Sequence, residues 1–388
     1  METRKLYYEN SRLTDFKATV LECRQAKNGW EVILDATAFY PEGGGQACDI
    51  GTLGSAMVED VQERGDQVIH LCDEALPVGQ AVEGCVNWDR RLDLMQQHTG
   101  EHIVSGIIHR IFGYHNVGFH MGEHMVTIDF DGPIQEAILW EIERQANEAV
   151  WQDIPVKCWY PSREELPHVG YRSKKDLPWP VRVVEIPGYD RCACCGVHTQ
   201  TTGQIGMIKI LSCVKFHQGV RIEMVCGDRA LAYMNKIYDQ NRQVSQQLSA
   251  KPLYTAKAVE ALRGQLAESK YREVTLKRRL FKMIAEGYRG EKTLLHIEPE
   301  LDPGDVRLLA DAVAECCSGV AAVASGTDES GYSLCLVSQS QDVRPLGKEA
   351  FGALRGRGGG KEACVQGSVK AGEQEIRAFF QKAFAGTE

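Results

Sequence analysis

Two short segments of the chain hold side chains that bind metals. In His98-Thr99-Gly100-Glu101-His102 the histidines are four apart. Residues at that spacing share one face of a helix, so both imidazoles can reach a single ion. The alternative is a surface or core pair with no common ligand. Far along the chain, Cys192-Ala193-Cys194-Cys195-Gly196-Val197-His198 offers thiolate and imidazole, both natural zinc ligands, and Gly196 allows a tight turn that lets Cys194 and His198 converge. Together the two segments supply three imidazoles and one thiolate, donors that suit zinc better than magnesium or calcium. A site closed on all sides would be structural, whereas catalysis needs a position open to water or substrate. The spacing is compatible with both.

A third segment runs from Thr37 through Phe39-Tyr40-Pro41-Glu42-Gly43-Gly44-Gly45-Gln46. Three successive glycines let backbone amides come close to a ligand and present Gln46 at the end of the loop; read bare, the segment is a hairpin connection. A fourth, Arg355-Gly356-Arg357-Gly358-Gly359-Gly360-Lys361, sets exposed amides among cations, as phosphate binding requires. A glycine turn without a ligand is its plain alternative.

These groups need elements to hold them. Strand-like runs at 17–23, 29–35, 67–72 and 81–86 predict a small β-barrel at the N-terminus. Apolar positions Leu94, Met95, Ile103, Ile107, Ile108 and Ile111 predict a helix from Arg91 to Phe112, closed by Gly113. A strand at 125–130, a helix at 134–151 and strands near 154–160, 181–187, 206–211 and 219–226 suggest helices layered on an antiparallel sheet. Helices over 228–249 and 255–288, broken at Pro252, read as a hairpin with coiled-coil character. Alternating strands and helices after Leu294 form a separate small α/β unit. The expected class is α+β, in four parts: a barrel (1–88), a metal-binding domain (89–228), a helical hairpin linker (229–290) and the small α/β domain (291–388).

Composition bounds the function. The chain has 388 residues, enough for two or three cores, with 43% hydrophobic and 25% charged residues. No apolar run is long enough to span a membrane and no signal-like segment opens the chain, so the fourteen cysteines are expected to be reduced thiols in the cytoplasm. The net charge of -9 argues against a polyanionic partner, but charge is segregated. Residues 251–290 hold ten Lys and Arg against four Glu, and 344–370 hold six against two. These runs are a nucleic-acid surface or merely solvated faces.

FYPEGGGQ (39–46), HTGEH (98–102) and CCGVH (194–198), in this order, resemble the editing domain of alanyl-tRNA synthetases and the free-standing AlaX proteins. The resemblance covers about the first 230 residues. It implies zinc held by His98, His102, Cys194 and His198, and a pocket formed partly by Thr37 and Gln46. The match departs from the commonest Cys-Gly-Gly-Thr-His form at Cys195 and Val197, and the crowded thiols leave Cys192 and Cys195 as competitors of Cys194. Gly358 to Gly367 resembles the signature of the DHH-associated domain, which implies tRNA contact and self-association as a homodimer through this region; the phosphate-binding reading above makes Arg355, Arg357, Gly358, Gly359, Gly360 and Lys361 the expected contacts.

The reaction this resemblance implies is hydrolysis of seryl or glycyl esters on alanine tRNA, without aminoacylation. An alanine site rejects serine weakly, because one added hydroxyl is worth only about 100-fold. A second site that accepts the hydroxyl is the remedy, with Thr37 as the expected partner. Two rivals stand beside it. His98 to His102 also fits the His-x-x-Glu-His pattern of inverted zinc metallopeptidases, with Glu101 as base, although that leaves Cys194 and His198 unexplained. A non-catalytic tRNA-binding zinc module is the other.

Overall fold

From Asp15 to Val86 inward apolar residues alternate with outward polar ones, as strands with one buried face must. The computed structural model, which describes residues 2–173 and 177–385, shows six strands here: β1 (Asp15–Ala26), β2 (Gly29–Leu34), β3 (Gly51–Leu53), β4 (Ala56–Arg64), β5 (Gln67–Cys72) and β6 (Ala81–Val86). They close into a barrel in the order β1-β2-β5-β4-β3-β6. Val20, Val32, Leu34, Phe39, Leu53, Val58 and Val82 fill its interior.

Helix α1 (Trp88–Phe112) begins three residues before the expected start because Asn87 caps it, accepting from Arg90 N at 3.0 Å. It ends at Gly113 in the left-handed conformation (φ 73°), as expected. Every residue from Gln97 to Ile108 is buried, so this helix runs through the interior rather than along a surface. Around it lie β7 (Asn116–Met121), β8 (Val126–Phe130), α2 (Glu136–Trp151), β9 (Lys157–Trp159), β10 (Val183–Ile186), β11 (Asp190–Ala193), β12 (Ile208–Phe216) and β13 (Gly219–Cys226). Strands β12-β13-β8-β7 form one antiparallel sheet, and β9-β10-β11 a second. Ile103 and Ile107 of α1 and Ile142 and Ala146 of α2 pack with Ile128, Ile208, Ile222 and Met224 of the larger sheet.

A buried ion pair ties barrel loop to helix. Arg91 Nε donates to Asp49 Oδ1 at 2.8 Å, and its other nitrogens reach Ala38 O (2.6 Å) and Ser11 O (2.9 Å). Asp49 also accepts from Tyr40 N at 2.6 Å. These bonds fix the loop that carries Tyr40 to Gln46 over the start of α1.

The chain divides into two units, Met1–Gln243 and Val244–Glu388, with α3 (Gly227–Gln247) running across the division. In the second unit follow α4 (Thr255–Glu286), β14 (Leu294–Ile297), α5 (Pro303–Ala314), β15 (Val320–Thr327), β16 (Gly331–Ser338), α6 (Arg344–Ala353), β17 (Arg357–Lys361), β18 (Cys364–Val369) and α7 (Glu373–Ala385). Their sheet has the order β14-β15-β16-β18-β17. Alternate residues of β15 face opposite layers: Ala321 and Val323 pack with Val306 and Leu309 of α5, and Ala322 and Ala324 with Phe351 of α6 and Phe380 of α7. The expected apolar stripe of α4 is largely exposed at Val259, Leu262, Leu266, Val274 and Leu280; burial falls on Phe281 and Ala285, where α5 meets it.

The class is α+β, as the mixture of patterns predicts. Among the described residues, no helix is long and apolar enough to cross a membrane.

Candidate metal centre

Helix α1 presents His98 and His102 on one buried face, and the loop after β11 brings Cys194 and His198 against them. One ligand atom from each lies within 4.8 Å of all the others. Gly196 permits this through close approach: a Cβ there would lie 2.2 Å from His98 Cε1.

Each imidazole is held by its outer nitrogen. His98 Nδ1 lies 2.7 Å from Gln46 Oε1, and His102 Nδ1 2.8 Å from Asp190 Oδ2. Thr99 Oγ1 donates to Met95 O at 2.8 Å, leaving its oxygen to accept from His198 Nδ1 at 3.4 Å. With Nδ1 the donor in all three rings, the Nε2 lone pairs are left for the centre. His98 Nε2 is 3.4 Å from Cys194 Sγ, and His198 Nε2 is buried without a partner among the described residues. An orphaned ring nitrogen beside a sulfur and two further imidazoles is a donor set for one ion, so these residues fit a bound metal.

Burial raises the Cys194 thiol, but His98, with hydrogen bonds from His102 and His198, outweighs it and holds the thiol well below its ordinary range. Burial pushes His198 down to about 3. Burial also works against the charges of His102 and Asp190, yet their mutual bond, with Cys194 beside His102 and Arg172 beside Asp190, holds His102 well above and Asp190 below their ordinary values.

Supporting groups fix the thiol loop. Arg182 Nη1 donates to Cys194 O (2.9 Å) and Gly196 O (2.8 Å), its guanidinium lies over the Tyr8 ring at 4.6 Å, and Tyr8 OH donates to Cys195 O at 2.7 Å. Cys192 groups instead with His102 and Asp190, but Arg172 donates to both Asp190 oxygens, at 2.7 and 2.9 Å. A cavity of about 490 Å³ opens onto His98, His102 and Cys194, walled by Glu101, Asn116, Phe119, Arg172, Arg182 and Pro180 among others.

The glycine box is a tight hairpin turn. Gly43 and Gln46 exchange backbone hydrogen bonds at 3.0 and 2.9 Å around Gly44 and Gly45, both at positive φ (61° and 84°). Its product is the placement of Gln46 on His98. Thr37 lies apart from this cluster. It is fully buried in the two-residue strand Ala36–Thr37, which pairs with Arg4–Lys5, and it lies 2.8 Å from His70 Nε2, accepts from Phe39 N at 3.1 Å and is not among the residues lining the cavity. Its hydroxyl is engaged by His70 and by Phe39 N.

Asp190, Arg172, Arg182 and Asn116 were missed in the sequence. The one available signal was Asp190, a carboxylate two residues before the cysteine cluster. In the second unit, Gly358, Gly359 and Gly360 are not a loop but part of the exposed edge strand β17, paired with Gly367, Gln366 and Val365 of β18. Arg355 is engaged by Glu375 at 3.0 and 2.6 Å, while Arg357 and Lys361 are exposed.

Comparison with known proteins gives the following. Residues 2–90 match the family model described as tRNA synthetases class II (A), and residues 181–223 match that of the threonyl and alanyl tRNA synthetase second additional domain. An alanine–tRNA ligase of Thermofilum pendens is 34% identical over 390 residues, covering 95% of this chain and 42% of the ligase. The alanyl-tRNA editing protein AlaX-L of Pyrococcus horikoshii is 28% identical over 396 residues, covering 96% of each chain. The chain thus spans about two fifths of the ligases it matches. The C-Ala domain of Aquifex aeolicus alanyl-tRNA synthetase aligns with 24% of this chain and 92% of that domain, at 21% identity and a TM-score of 0.22, too loose a superposition to carry an argument.

Proposed function

We propose that this chain, a relative of the AlaX-type alanyl-tRNA editing proteins over nearly its whole length, is an aminoacyl-tRNA hydrolase that removes seryl or glycyl groups from alanine tRNA. The observation that carries this reading is the four-donor cluster, three of whose members line a cavity, with the outer nitrogen of every imidazole held. The full-length relative is named for alanyl-tRNA editing; the seryl and glycyl esters come from the motif resemblance.

His98, His102, Cys194 and His198 would hold zinc, whose chemistry when bound is Lewis acidity towards an oxygen in the cavity. The protein groups do the rest. Gln46, Asp190 and Thr99 hold the rings in the orientation and tautomer that present Nε2. Arg182 and Tyr8 hold the thiol loop by its carbonyls. Phe119, Leu177, Pro178 and Pro180 wall the cavity and shield the ester from bulk water. A second reading, in which the metal only fixes the site and water is activated elsewhere, is favoured by the count of four protein donors, a closed tetrahedral set.

The partner is tRNA for alanine in the cytoplasm. The exposed cations of the second unit, Arg357 and Lys361 on the edge strand among them, supply sequence-independent phosphate contact, and the same region is assigned self-association as a homodimer. The test is metal content together with release of serine from seryl-tRNA for alanine. Stoichiometric zinc and release lost on chelation support the reading; a zinc-loaded protein that leaves the ester intact makes the chain a non-catalytic tRNA-binding module.

A further inference from the structure

One wall of the cavity collects hydrogen-bond acceptors that the metal cluster does not use. Glu101 lies between the two α1 histidines and is 5% exposed. Its Oε1 accepts from Ser105 Oγ at 2.5 Å and from Asn116 Nδ2 at 2.6 Å. No donor among the described residues reaches Oε2. Asn116, at the start of β7 and 6% exposed, turns its amide nitrogen to Glu101 and leaves Oδ1 buried without a partner. Both residues line the cavity.

The neighbouring cations do not fill this need. Arg172 spends Nε and Nη2 on Asp190, and Arg182 spends Nη1 on the carbonyls of Cys194 and Gly196. Asn116 Oδ1 is a buried acceptor without a donor among the described residues, a costly state whose cost falls when a ligand brings N–H groups, and Glu101 Oε2 beside it is free to accept as well. A phosphate would add acceptors to acceptors. A ribose hydroxyl brings one neutral proton, whereas an ammonium brings three donors and a positive charge, the stronger partner for a carboxylate.

We infer that Glu101, with Asn116 beside it, binds the free α-ammonium group of the aminoacyl ester, so that the site selects esters of unblocked amino acids. This rests on the deacylase reading above and deepens it. Ser105 and Asn116 Nδ2 position the carboxylate by holding Oε1, and Oε2 takes the substrate's N–H. The side chain of the amino acid is not read here, which fits a site that accepts both seryl and glycyl esters. Esters whose amine is acylated lack the charge and carry added bulk, and are excluded.

The test uses the full-length, zinc-loaded protein and two stable adenosine analogues with an amide at the 3′ position, one carrying a seryl group and the other 3-hydroxypropanoyl, the same group without its amine. Calorimetry on the wild type is expected to show the seryl analogue binding about 10- to 100-fold tighter, the worth of a hydrogen bond to a charged group. Glu101→Gln is expected to lose that preference, to bind the hydroxypropanoyl analogue unchanged and to keep its zinc. Equal affinities in the wild type, or equal weakening of both analogues in Glu101→Gln, would overturn the inference. The wild-type comparison stands even if the variant does not fold. A wild type that prefers the amine yet releases no serine from seryl-tRNA upholds the ammonium site and overturns the deacylase reading instead.

Discussion

His102 and Asp190 are joined by a hydrogen bond of 2.8 Å between two side chains that are both nearly fully buried. The bond spans 88 positions of sequence and decides which nitrogen of His102 faces the metal cluster. Asp190→Asn keeps the shape but removes the charge and replaces one of the two acceptor oxygens by a donor, so His102 and Arg172 compete for the oxygen that remains. Zinc affinity is expected to fall about 10- to 100-fold, the usual worth of a carboxylate behind a metal-binding histidine. Chelator competition measures it, and unchanged affinity would remove Asp190 from the site.

Cysteine variants separate the competing thiols. Cys194 is the thiol grouped with all three imidazoles, and Cys192 groups with His102 and Asp190. Cys194→Ser is expected to lose zinc and deacylation, whereas Cys192→Ser and Cys195→Ser keep the metal. Elemental analysis of the three proteins decides this, and loss of metal from Cys192→Ser with retention in Cys194→Ser reverses the assignment.

Arg91→Met leaves the Asp49 carboxylate buried without its cation. Such a break costs about 3–5 kcal/mol, which urea unfolding resolves. A loss below about 1 kcal/mol would mean that the loop around Tyr40 is held by other contacts.

His70 makes acid a destabilising agent for the barrel. Burial drives its imidazole down to about 4 from an ordinary value of 6.5, so the folded protein keeps it neutral where the unfolded chain takes up a proton. Its contribution is therefore complete above about pH 6.5 and is lost as pH falls towards 4, at about 1.4 kcal/mol per pH unit. Over this window, His70→Gln is expected to show a shallower fall of stability than the wild type. Parallel curves would exclude His70 as the source.

Thr37→Val removes the hydroxyl that bonds His70 and Phe39 N. A buried donor or acceptor left unpaired costs about 1–3 kcal/mol. Because Thr37 lies outside the cavity, seryl and glycyl esters should be affected alike. Selective loss of seryl hydrolysis would put Thr37 back at the substrate.

Deleting everything after about residue 250 removes nearly all of the second unit and none of the metal cluster. The remaining protein is expected to keep zinc, to bind tRNA more weakly and to show a shallower dependence of affinity on salt, since each lost phosphate contact releases fewer counterions. Identical affinities and slopes for both proteins would make the basic runs solvated surface only.

The sequence by itself determined what repeats locally. Four-residue spacing puts His98 and His102 on one turn-related face, Gly113 marks the end of α1, and the glycines at 44 and 45 take the positive φ that a tight turn needs. The α+β class follows from the same periodicities, because each reflects the geometry of a few neighbouring residues. Tertiary structure alone decided which distant groups meet. That Asp190 backs His102, that Asn116 and Glu101 share a wall, that Thr37 is sealed behind His70 and that Gly358–Gly360 forms an edge strand all depend on how sheets and helices pack. A side chain's spacing in sequence carries no information about the partner that packing brings to it.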